Sequence, residues 1–111
     1  MIDVVKIIRL TSHKDKRCFF REIFQISEQF FDFSVGQLSH SNLKEGIVKA
    51  WHCHVNQSKW NYVLSGQADV VLFDNRENSL TYKETIEFVT NDKVEPIGYF
   101  LPPGVSMGIS V

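Results

Sequence analysis

The sequence predicts an all-β fold, an antiparallel sandwich or barrel, on three observations. Short runs alternate apolar and polar residues. The cleanest is 80–89, where Leu80, Tyr82, Ile86 and Phe88 alternate with Thr81, Lys83, Thr85 and Glu87. Turn-forming pairs, Ser65-Gly66, Asp74-Asn75 and Asn91-Asp92, separate these runs at a spacing of roughly 8–12 residues. No long segment carries the 3.6-residue period of an amphipathic helix.

Taken in order, residues 4–10 are apolar and β-branched with charges interspersed, and predict a strand. Residues 18–24 predict a second. Residues 26–33 fit a helical turn or an extended segment. Residues 34–45, rich in Ser, Asn and Gly, predict a loop. In 46–54, Val48, Ala50, His52 and His54 share one face, because successive side chains on a strand point to opposite sides. In 59–65, Lys59, Asn61 and Val63 oppose Trp60, Tyr62 and Leu64. In 67–74, Ala68, Val70 and Leu72 alternate with Asp69, Val71 and Phe73. Pro102-Pro103-Gly104 marks a sharp turn.

At 111 residues the chain is expected to form one domain over 1–111. Its apolar content of 43% is enough for one core. A net charge of −1, with both signs interspersed, supplies no basic field, so no nucleic-acid partner is expected. No apolar run approaches the ~20 residues of a membrane span, so no membrane association is expected. Asp3, Lys6 and Arg9 interrupt the apolar N-terminus where a signal peptide would need a continuous core. Cys18 and Cys53 form no disulfide framework, and a reducing cytoplasm is the simplest setting.

The most informative segment runs from Gly46 to Gly66. It follows the first cupin motif, G-x5-H-x-H-x4-E-x6-G, with His52 and His54 in place and Lys59 where the metal-binding Glu would stand. The second cupin motif, P-x-G-x2-H, corresponds to Pro102 through Met107, with Met107 replacing the His. The sequence therefore resembles a cupin, a jelly-roll β-barrel of antiparallel strands, with two of the four usual metal ligands changed.

An isolated strand histidine is more often a solvent-facing or hydrogen-bonded residue, but the flanking glycines and the second motif favour a pocket. His52 and His54 would lie about 7 Å apart at their Cα atoms, on one face. A metal site needs three or four convergent ligands. Protonated Lys59 is not one, Met107 is a soft donor, and Cys53 alternates to the other face. No metal or other cofactor is expected. A neutral His beside a cationic Lys suits different chemistry. The His can take a proton from carbon next to a carbonyl, and the Lys can hold the enolate oxygen that results. Lys49, three residues before His52, falls on the opposite face unless a bulge intervenes. Trp51, Trp60 and Tyr62 are candidates for stacking surfaces at the pocket rim.

Further stretches resemble the dTDP-4-dehydrorhamnose 3,5-epimerase family, a metal-free branch of the cupins. They are Phe19-Phe20-Arg21-Glu22, Gln37-Leu38-Ser39-His40-Ser41, Gly46 to His52, Gln57-Ser58-Lys59-Trp60, Phe73 to Tyr82 and Leu101 to Gly108. The D-x-R-x-x-S-x-T-Y run from Asp74 to Tyr82 is the most specific of these. The likeness covers about residues 18–111. It implies a homodimer that binds a nucleotide sugar, a dTDP-4-keto-6-deoxy sugar, without a cofactor. It casts His52 as the base and Lys59 as the residue at the sugar carbonyl. Substrate contacts would come from Arg21, Glu22, Gln37, Lys49, His54 and Asn61, Lys49 standing where the family has Arg.

The family's second-motif His is Met107 here. Its acidic partner of the basic His and its acid Tyr normally lie well beyond that motif, and this chain ends at Val111. The expectation is a shortened relative or a truncated reading frame, lacking that acid and the family's C-terminal strands, with Tyr99 and Tyr82 the tyrosines to consider instead. Two alternatives stand beside an epimerase. One is a non-catalytic cupin that binds a sugar nucleotide. The other is a dTDP-sugar 3,4-ketoisomerase, whose R-G-x-H-A-H motif is similar to Lys49-Ala50-Trp51-His52-Cys53-His54.

Overall fold

The computed structural model describes residues 1–24 and 37–111. The segment 26–33 and residues 34–36 of the expected loop lie outside the described residues. Nine strands and no helix are found among those described: β1 (Lys6–Arg9), β2 (Ser12–Lys14), β3 (Phe19–Arg21), β4 (Val48–His52), β5 (Lys59–Tyr62), β6 (Gln67–Asp74), β7 (Thr85–Asn91), β8 (Ile97–Leu101) and β9 (Val105–Ser110). They form a four-stranded sheet in the order β4-β9-β6-β7, a three-stranded sheet in the order β1-β8-β5, and the hairpin β2-β3. Every pairing is antiparallel. The all-β expectation therefore holds.

β6 shows why the four-stranded sheet forms. Ala68, Val70, Leu72 and Asp74 are buried, and the residues between them are not. Register extends this face across the sheet. Val70 lies opposite Phe88 on one side and Ile109 on the other. Leu72 lies opposite Ile86 and Met107. From the other sheet, Ile97, Tyr99 and Leu101 of β8 complete the core, with Ile2 and Val5 packed in from the N-terminal segment. The rings of Phe88 and Tyr99 meet edge-on, their centroids 5.2 Å apart, and join the two sheets. Burying each such large side chain contributes about 1.5–3 kcal/mol.

The expected strand over 80–89 is wrong in its first half. Residues 77–83 form turns, Leu80 is almost fully exposed, and β7 begins at Thr85. The cause is Asp74, whose buried carboxylate draws the side chains of this loop onto itself. It accepts from Ser79 Oγ (2.7 Å), Thr81 Oγ1 (2.6 Å), Arg76 Nε (2.8 Å) and Arg76 Nη2 (3.0 Å), and from the Arg76 backbone N–H (3.0 Å). Side chains that bond locally in this way divert the backbone from a ladder.

Strand β4 also departs from simple alternation. Val48 pairs with Ser110 and Lys49 with Ile109, but His52 pairs with Met107. One extra residue on β4 is accommodated as a bulge. Cross-strand partners share a face, so Lys49 and His52, partnered with Ile109 and Met107, both take the core side. Val48 takes the outer side. The expected face of Val48, Ala50, His52 and His54 is corrected accordingly.

Candidate functional site

The two sheets meet in a small cleft whose enclosed volume is about 10 Å³. His52 at the end of β4 and His54 just beyond it form one wall. Lys59, the first residue of β5, and the neighbouring Gln57 stand on another. Leu101, Pro102, Val105 and Met107, at the β8-to-β9 junction, complete the lining. The four positions of the cupin ligand set, His52, His54, Lys59 and Met107, thus come together in space.

Each is placed by a local reason. The bulge in β4 turns His52 to the core side, opposite Met107. Lys59 pairs with Leu101, and Leu101 is buried in the core, so Lys59 projects toward the same interior. The main-chain carbonyl of His54 accepts from the Gly104 N–H at 2.9 Å, which ties the strand end to the Pro102-to-Gly104 turn.

Other expected site residues lie farther out. Lys49 shares the core-side face of β4 with His52 through the bulge but is exposed. Asn61 lies on the face of Lys59, opposite Tyr99, and its Nδ2 is buried with no hydrogen-bond partner among the described residues. Arg21, on β3, donates to Ser12 Oγ (2.8 Å) and Tyr62 Oη (2.6 Å), and its guanidinium sits 4.4 Å from the centre of the Phe19 ring. Glu22 lines a separate recess with Arg9, Thr11 and His13. Gln37 is exposed and donates to Ser39 Oγ.

The aromatic rim does not form. Trp60 lies on the opposite face of β5 from Lys59 and packs between Phe24 and Phe100, at 4.8 and 5.1 Å. Tyr62 faces the same way and accepts from Arg21. Trp51 lies against Gly108 on the outer face of the four-stranded sheet. Tyr82 sits in the exposed β6–β7 loop. Tyr99 is buried, its Oη donates to Met107 Sδ at 3.4 Å, and burial pushes its phenol up to about 12. Sequence reasoning missed Gln57, Leu101, Pro102 and Val105 as lining residues, although Gln57, Pro102 and Val105 lie within the two cupin motifs and Leu101 directly precedes the second.

Among the described residues, no three His, Cys, Asp or Glu side chains converge as a metal-holding group. Nor, among the described residues, is any helix long and apolar enough to cross a membrane.

The family model for dTDP-4-dehydrorhamnose 3,5-epimerase matches residues 1–111. The spore coat polysaccharide biosynthesis protein SpsL of Bacillus subtilis (strain 168) is 37% identical over 111 residues, which is all of this chain and 72% of SpsL. This chain belongs to the dTDP-4-dehydrorhamnose 3,5-epimerase family. Among solved structures, a dTDP sugar isomerase from Desulfovibrio desulfuricans shares the fold at a TM-score of 0.88 and 22% identity, over 99% of this chain and 69% of that one. The 3,5-epimerase RmlC from Legionella pneumophila, in complex with dTDP-4-keto-L-rhamnose, superposes at 0.81 with 26% identity, over 99% of this chain and 61% of that one. The chain thus spans roughly two thirds of the length of these relatives.

Proposed function

We propose that the cleft binds a dTDP-4-keto-6-deoxy sugar and that His52 removes a proton from the carbon next to the 4-keto group. The observation that carries this reading is the meeting of His52 and Lys59 across one cleft. A C–H bond breaks, its proton passes to the imidazole, and its electron pair moves onto the carbonyl oxygen. The Lys59 ammonium faces the resulting enolate, where a fixed cation is worth more than it would be in water. Return of the proton to carbon regenerates the ketone. The family membership and the ligand named for the Legionella relative support the substrate class.

His54 and Asn61 are proposed contacts to the sugar. The unpartnered Asn61 Nδ2 is a donor that a ligand oxygen would satisfy. Lys49, Arg21, Glu22 and Gln37 are proposed contacts to the nucleotide. A homodimer is part of the proposal. The hairpin β2-β3 leaves Phe19 and Phe20 exposed, an apolar surface suited to a second copy. Work in the cytoplasm fits the two exposed free thiols, Cys18 and Cys53.

A second reading, exchange without clean inversion, draws on the cleft lining. Among the described residues it holds no tyrosine and no carboxylate to deliver a proton from the opposite side. Proton NMR of a dTDP-4-keto-6-deoxy sugar in deuterated water tests both. Loss of the C3 or C5 proton signal that depends on His52 supports the proposal. An inverted product identifies an epimerase, and a carbonyl moved to C3 identifies a ketoisomerase. No exchange, with dTDP still bound, would identify a binding protein.

A further inference from the structure

We propose that Asp74 and Arg76 are positioning residues for the cleft: they clamp the Pro102-to-Gly104 turn and, through Gly104, hold the His52–His54 strand end in place. The inference rests on the reading that this cleft is the site. The D-x-R-x-x-S-x-T run lines neither the cleft nor the second recess, so its specificity needs another cause.

The contacts form a continuous path. Asp74 fixes Arg76 through both carboxylate oxygens. The aliphatic stem of Arg76 lies over Gly104. A Cβ at Gly104 would come within 2.5 Å of Arg76 Cγ, and Gly104 holds a φ of +87°, a conformation L side chains rarely adopt. The Gly104 carbonyl accepts from the Asn75 N–H at 3.0 Å, and its own N–H donates to the His54 carbonyl at 2.9 Å. The neighbouring Pro102 and Val105 line the cleft with His52 and His54. On its other side, Arg76 Nη2 donates to the Asp3 carbonyl at 2.6 Å, and the Asp3 N–H donates to Thr81 Oγ1 at 2.9 Å. The clamp is thereby anchored to the N-terminal segment as well as to the turn.

A residue that only stabilises the fold would leave the folded cleft unchanged when replaced. A positioning residue would not. The test compares the native chain with R76A and with R76K, which keeps the charge but loses the planar fork. Ring signals of His52 and His54 and the Gly104 amide signal are recorded by NMR on folded protein. The Thr90 and Ile97 amides, at the far end of β7 and β8, serve as internal references. The expected result is displacement or broadening of the Gly104, His54 and His52 signals, with Thr90 and Ile97 unmoved, and dTDP affinity weakened by about tenfold. Ethylguanidinium added to R76A should restore the signals. Should R76A not fold, R76K carries the comparison. Histidine signals that superimpose on the native ones in the folded variants would overturn the proposal. Displaced signals in a chain whose native form does not bind dTDP would leave the clamp standing and remove the nucleotide-sugar reading.

Discussion

Tyr99 Oη donates to Met107 Sδ at 3.4 Å, so the most deeply buried aromatic of the three-stranded sheet is bonded to the wall of the His52 cleft. A thioether is a weak acceptor, and the phenol is held neutral by burial. The ring, wedged against Phe88, matters more than the hydroxyl. Tyr99→Phe is expected to cost about 1 kcal/mol or less. Tyr99→Ala, which empties the core between the sheets, is expected to cost about 3–5 kcal/mol. Urea unfolding of the two variants checks the order; equal losses would show that the hydroxyl carries the effect.

Asp74 gives the fold an acid-sensitive point. The hydrogen bonds from Arg76, with those from Thr81 and Ser79, hold its carboxyl well below the usual carboxylate range. The folded state therefore favours the ionised form. That contribution is present in full above the ordinary Asp value near ~3.9, and it is lost as the pH falls toward the depressed folded value. Asp74→Asn puts an NH₂ among donors and is expected to cost about 3 kcal/mol or more at pH 7. Thermal unfolding between pH 7 and pH 2 should show a flatter acid limb in the variant than in the native chain. Parallel limbs would assign the acid sensitivity to other carboxylates.

The sequence was legible where a strand's environment is two-sided. β6 matches its expected span of 67–74, because one face meets the core and the other does not. β8 has no such contrast. All five of its residues are buried, since it runs between β1 and β5 and the Trp60, Phe100 and Phe24 rings pack together on the side away from Tyr99. The alternation at 80–84 did not make a strand, because local hydrogen bonds to Asp74 overrode it. Of the site, the placement of His52 and Lys59 along one cleft was readable from motif spacing. The shared face of Lys49 and His52 was not, because it depends on a bulge that only the register against β9 reveals.

Glu87 and Asp69 lie diagonally on the outer face of β6 and β7, where Asp69 opposes Val89 and Val71 opposes Glu87. A hydrogen bond that a protonated Glu87 carboxyl would give to Asp69, then the like charge, raises the Glu87 carboxyl above its ordinary value. A raised acid weakens the fold in full above its folded value, and the penalty shrinks as the pH falls through that value and is gone only below the ordinary one. Glu87→Gln should therefore raise the unfolding midpoint at pH 7, with an advantage that shrinks toward the ordinary glutamate range near ~4.3. A midpoint that is unchanged at neutral pH would show that solvent screens the pair completely.

The cleft also predicts what would build a metal centre. His52, His54, Lys59 and Met107 line one recess, and two of them are already imidazoles. Lys59→Glu supplies a carboxylate and removes the ammonium charge that repels a cation. Met107→His supplies a third imidazole directly across the strand pair from His52. Four nitrogen and oxygen donors around one point suit zinc or nickel. The double variant is expected to take up about one equivalent per chain, and each single variant, with three donors at most, to bind more weakly. Calorimetric titration with zinc chloride, with circular dichroism to confirm the β signal, measures this. A folded double variant that binds no metal would show that the four side chains do not converge closely enough. It would also weaken the pairing of His52 and Lys59 on which the proposed proton transfer depends.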